Sequence, residues 1–173
     1  MKNIVLLLCS ILALIFYPVL GVKAQASVTA TATAEVIEAL SSRETSQLNF
    51  GKFSPETQGG KIILSPDGVR TAQGTVVLSG GTHNAASFYI TGQYEATFSI
   101  SLPAVPALLT NPITGKTMEV TEWQSYPPPG IGVGKLVGGS VNVNIGASLI
   151  IGDMNANPVG LYAGTYAVTF AYN

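Results

Sequence analysis

From Gln25 onward, apolar and polar residues alternate with period two between glycine and proline breaks, and no helical period is sustained. The pattern predicts strands throughout. In the first of them Val28, Ala30, Ala32, Ala34 and Val36 share one side, opposite Thr29, Thr31, Thr33 and Glu35. Leu48 and Phe50 mark a short second strand. Residues 61–64 and 75–78 read as strands, the first followed by the tight reversal Pro66-Asp67-Gly68, where Gly68 is free to take positive φ. After Gly80-Gly81 come strands over 87–91 and 95–102, the latter setting Ala96, Phe98, Ile100 and Leu102 against Thr97, Ser99 and Ser101.

Pro103, Pro106 and Pro112 lack the amide hydrogen a ladder needs, so they mark a connection. The extended pattern resumes over 116–124. Pro127-Pro128-Pro129-Gly130 predicts a stiff exposed loop, and Gly132, Gly134, Gly138 and Gly139 predict bends or bulges behind it, with 130–135 a flexible loop feeding a strand. Val141, Val143 and Ile145 alternate with Asn142 and Asn144, then 149–151 reads as a separate strand. The last strand covers 164–173, with Tyr166, Val168, Phe170 and Tyr172 on one face. Residues 36–46 are the one stretch of helical character, but the tandem Ser41-Ser42 and the missing apolar stripe argue against a helix. Short strands at these intervals predict an all-β, immunoglobulin-like antiparallel sandwich of one domain over residues 27–173.

The N-terminus changes the compartment. Lys2 followed by the apolar run 4–16 and small residues at Ala24 and Ala26 is the pattern of a secretory signal peptide over residues 1–26, cleaved after Ala24 or Ala26. The run is too short for a comfortable membrane span, so no span is expected in the mature chain, which is placed in the periplasm, on the outer surface or outside the cell. Cys9 leaves with the signal, and with it go disulfides, thiolate nucleophiles and cysteine-held metals.

Charged residues make up only 10% of the chain and the formal net charge is −1, against about a quarter charged in ordinary globular proteins. Arg43, Lys52, Lys61, Arg70, Lys116 and Lys135 are scattered, whereas a nucleic-acid surface needs clustered cations. Reactive constellations are equally thin. His83, in the polar turn 81–84, has no nucleophile or orienting acid in recognisable context. The run Gly130-Ile131-Gly132-Val133-Gly134-Lys135 has Pro129 where a phosphate loop needs its first glycine and Leu136 where it needs Ser or Thr. Asp153-Met154-Asn155-Ala156-Asn157 alternates oxygen ligands, yet Pro158 stands where a calcium loop requires glycine. Glu119 and Glu122, three apart, are expected on opposite faces of their strand. Trp123 and Tyr126 offer either a surface platform for sugar or peptide or, for Trp123, a core plug. No enzyme, cofactor or metal is expected.

Four segments carry a family resemblance: Leu48-Asn49-Phe50-Gly51, Gly80-Gly81 before Phe88-Tyr89-Ile90-Thr91-Gly92, Phe98-Ser99-Ile100-Ser101-Leu102-Pro103, and Gly160-Leu161-Tyr162-Ala163-Gly164-Thr165-Tyr166. In order and spacing the chain resembles the secreted bacterial proteins of the domain of unknown function 4402 family. The closing alternation is also similar to pilins handled by periplasmic chaperones and outer-membrane ushers, and to spore coat protein U domains. That likeness implies a sandwich lacking one strand, completed by strand addition from a neighbour. It casts Val28, Ala30, Ala32, Ala34 and Val36 as the donor strand and Tyr166, Val168, Phe170 and Tyr172 as the acceptor edge. Related subunits, a chaperone and an usher are the implied partners. The expected function is a cell-surface structural or adhesive subunit; the alternative is a monomeric module binding carbohydrate or a surface protein through the loops of 126–139, Trp123 and Tyr126 included.

Overall fold

The computed structural model describes residues 25–173. The expected signal peptide, up to Ala24, lies outside the described residues. Residues 25–40 form no strand or helix, and those as far as 39 are exposed. The alternation over 28–36 is thus not used in any ladder among the described residues.

Residues 36–173 form one compact unit built from ten strands: β1 (Ser41–Ser46), β2 (Phe53–Leu64), β3 (Arg70–Leu78), β4 (Ala86–Thr91), β5 (Thr97–Ser101), β6 (Ala107–Thr110), β7 (Thr117–Tyr126), β8 (Gly130–Lys135), β9 (Ser140–Ile151) and β10 (Thr169–Tyr172). All pairings are antiparallel. Seven strands make one sheet and β10-β5-β8 a second, smaller one. The protein is an all-β antiparallel sandwich.

The organising element is β9. Along one edge it pairs β7 from Asn144 to Ile150. The opposite edge is divided, with β4 on Ser140–Ile145 and β2 on Ala147–Ile151. Gly146 sits at the division, where a Cβ would overlap the Leu64 carbonyl and Ser65. Only glycine lets the chain of β2 turn away that close to β9.

Alternation along β9 then sends Val143, Ile145, Ala147, Leu149 and Ile151 to one buried face. These residues feed two core clusters. Val143 and Ile145 join Ala86, Ile90, Phe98, Ile100 and Leu136 beneath the small sheet. Ala147, Leu149 and Ile151 join Phe50, Ile62, Leu64, Val76, Met118 and Val120. The small sheet therefore supplies a second layer for the first cluster only. Residues 47–55 and 154–164, which contribute no strand beyond Phe53–Pro55, flank the second.

Several elements differ from the sequence reading, each for a local reason. Residues 130–135, expected as a flexible loop feeding a strand, are themselves strand β8: the Phe98 ring lies where a Cβ at Gly134 would go, so a glycine there permits pairing with β5. A four-residue strand, β6, lies between the prolines and pairs β7. The two strands expected over 141–151 are one, running straight through Gly146. The C-terminal strand is paired only over Thr169–Tyr172, because Pro103 and Pro106 stop β5 from continuing beside the residues before it.

Candidate functional site

The second core cluster is open to solvent through a groove of about 1190 Å³ between the segments 47–55 and 154–164. Leu48, Phe50, Phe53, Leu109, Met118 and Leu149 line it. Its banks are set by local chemistry that the sequence motifs encode. The Asn49 side chain accepts a hydrogen bond from the Gly51 amide at 2.8 Å while its backbone bridges Asn84, which turns Phe50 inward. Gly51 takes φ 76° beneath the Arg70 guanidinium, which donates to the Phe50 carbonyl at 2.8 Å and the Ser79 carbonyl at 2.9 Å. On the far bank, the Asn157 side chain accepts from Gly152 N–H at 2.6 Å and donates to Thr117 O at 2.8 Å. Asp153 Oδ1 accepts from the amides of Asn155 and Ala156, which makes 153–157 a closed turn whose oxygen is already engaged.

The chain leaving this bank is tied to β6 by the bridge between Thr110 and Ala163. It then runs from Gly164 to Val168 without a backbone hydrogen bond to any described residue before entering β10. Tyr166, Val168, Phe170 and Tyr172 point into the cluster under the small sheet. The residues expected as an acceptor edge thus pack the covered half of the molecule, while the groove is bordered by the segment before them. Val28 and Val36 are 92% and 97% exposed, and Ala30, Ala32 and Ala34 are exposed between them.

Trp123 and Tyr126 are not brought together. Register slips between Thr121 and Gln124, and Glu122 takes φ 49°, a bulge that inverts the alternation. Trp123 is thereby turned inward, where it packs against both clusters and stacks on Tyr166 with ring centroids 4.6 Å apart. Tyr126 remains 71% exposed. The same bulge corrects the expectation for the two carboxylates. Glu122 returns to the outer face, the face that Glu119 shares with Ile150. There its carboxylate accepts from Ser148 Oγ at 2.6 Å and from Lys61 Nζ at 2.9 Å. These bonds, Ser148 first and then Lys61, hold Glu122 below the ordinary glutamate value. Glu122 thus forms a polar cross-strand patch with Ser148 and Lys61.

Burial, helped by the charge of Glu44, pushes Tyr166 up to about 12. Its hydroxyl and the Trp123 indole nitrogen are both buried without a partner among the described residues. His83 lies in an exposed loop. Among the described residues no three His, Cys, Asp or Glu side chains come together as a metal site, and no helix is long and apolar enough to cross a membrane.

Fold and groove define a class: an all-β sandwich whose main sheet is covered by a second sheet over only half its length. The chain belongs to the family described as domain of unknown function 4402, whose model matches residues 40–172. No curated protein and no solved structure matches it.

Proposed function

We propose that the protein is an exported, non-catalytic structural or adhesive subunit of a bacterial surface that associates with its own copies or related subunits by strand addition. One observation carries this reading: a nine-residue segment with strand alternation, Val28 to Val36, is exposed and enters no ladder among the described residues, while among them half of the main sheet has no second sheet over it. Added strands satisfy both deficits at once, because main-chain hydrogen bonds supply affinity and alternate side chains supply fit. A periplasmic chaperone and an outer-membrane usher are the proposed carriers, since an uncovered apolar face has to be shielded during export.

Removal of residues 26–36 tests the donor role. The shortened protein is expected to elute from size exclusion as a monomer under conditions where the full exported chain forms larger species; polymers of the shortened protein refute it. The second reading, a monomeric module binding carbohydrate or a surface protein, is favoured by the exposure of Tyr126, Ile131 and Val137 around the 126–139 stretch. A monodisperse full-length monomer with residues 28–36 protected from hydrogen exchange supports that module instead.

A further inference from the structure

We infer that the groove between residues 47–55 and 154–164 is the seat for residues 28–36 of a second copy, so that subunits join head to tail. This rests on the strand-addition reading and fixes its geometry. Size is the first argument. At about 1190 Å³ the groove exceeds the roughly 300–1,000 Å³ of typical small-molecule pockets, and it is open along the sheet rather than closed around a compact ligand. An extended segment suits that shape.

Charge is the second. Among the described residues Lys52 is the only charged one lining the groove, and Glu35 is the only charged residue of 25–36. A nearly neutral strand with one acid therefore meets a nearly neutral groove with one base. The inward side chains of such a strand, two valines and three alanines, are small enough to lie over a floor already filled by Phe50, Met118 and Leu149. Its backbone finds partners in the bank from Val159 to Tyr162, whose own peptide groups make no backbone bond to described residues.

Reach decides which copy supplies the strand. Glu38 is clasped to the opposite half of the sandwich: Tyr172 Oη donates to its carbonyl at 2.9 Å and accepts from Gln93 N–H at 2.7 Å, while Gln93 Oε1 accepts the Glu38 amide at 3.3 Å. Gly92 leaves room for that hydroxyl and bonds Gly139 beside the Ser140 end of β9. The groove lies over Leu149. Nine residues of strand separate the two, about 30 Å at ~3.3 Å per residue. A chain starting from Glu38 spends residues 37 to 28 in covering that distance, so Val28 to Val36 cannot also lie within its own groove. A neighbour's segment has no such constraint. Donor and acceptor at opposite ends of one molecule make a heterologous contact that propagates as a line.

Cysteine pairing tests this, since residues 25–173 contain no cysteine. Chains carrying Ala32→Cys are mixed with chains carrying Leu161→Cys or, separately, Ala171→Cys on β10; all three positions are exposed and leave the core intact. After mild oxidation by diamide, a disulfide between copies joining 32 to 161, and none joining 32 to 171, is the expected result on non-reducing gels with mass-spectrometric mapping. Linkage of 32 to 171 overturns the groove assignment but leaves strand addition standing. A chain with both Ala32→Cys and Leu161→Cys that closes on itself as a monomer overturns the second copy as donor. No linkage in either mixture, with monomers only, overturns both the inference and the reading beneath it.

Discussion

Trp123 and Tyr166 meet where the two clusters adjoin, and each has a buried polar atom that makes no hydrogen bond among the described residues. An unsatisfied buried hydroxyl costs about 1–3 kcal/mol, so Tyr166→Phe is expected to keep the ring stack and leave stability unchanged or raised by up to about 1 kcal/mol in urea unfolding. The same residue sets an alkaline limit. Its folded value, about 12, lies above the ordinary 10.0, so the neutral form is favoured in the fold; the stability is fully present below pH 10 and falls away as pH rises toward 12. Trp123 fluorescence across that range checks this, and Tyr166→Phe is expected to flatten the loss. Glu122 behaves in the opposite sense. Its value is depressed from 4.5 by Ser148 and Lys61, so its contribution is present above pH 4.5 and lost as pH falls through the lowered folded value. Glu122→Gln is expected to make acid unfolding less steep below pH 4.5, read by circular dichroism along a pH series.

At the level of elements, β9 is where a single atom matters most. Gly146→Ala places a methyl against the Leu64 carbonyl, a backbone group that cannot swing aside, and is expected to cost about 1–3 kcal/mol, the usual cost of overpacking, seen as a lower denaturation midpoint. Such constraints also explain how far the strands were legible. Where one face is buried and the other wet, as in β5 with Phe98 and Ile100 inward, alternation gave the strand directly. In β8 the signal failed because glycine there answers to a neighbour, the Phe98 ring over Gly134, and period two cannot encode a residue chosen for what lies across from it. The continuity of β9 was hidden for the same reason at Gly146. The bulge at Glu122 escaped because it depends on one backbone angle, and with it went the facing of Trp123 and Glu122. β6 is too short, and too enclosed by prolines, to announce itself. The candidate donor segment was visible as a pattern, but the groove was not: its lining comes from 47–55, from β6, β7 and β9, and from 154–164, which only the topology assembles.

For the molecule as a whole, the two halves differ in cover. Amide protection follows burial and ladder bonding, so Val143 and Ile145 in β9, enclosed by both sheets, are expected to exchange more slowly than β6 and the 159–162 bank of the groove in a native-state exchange experiment on monomeric protein. Uniform protection across these segments contradicts an uncovered half. The route by which the halves are connected has a mechanical side. Glu38 is fastened at the Ser140 end of β9 and the groove lies toward Ile151, so tension applied between those ends travels lengthwise down a strand bonded along both edges. Its hydrogen bonds are sheared together instead of peeled singly, the arrangement in which a sheet withstands pulling best.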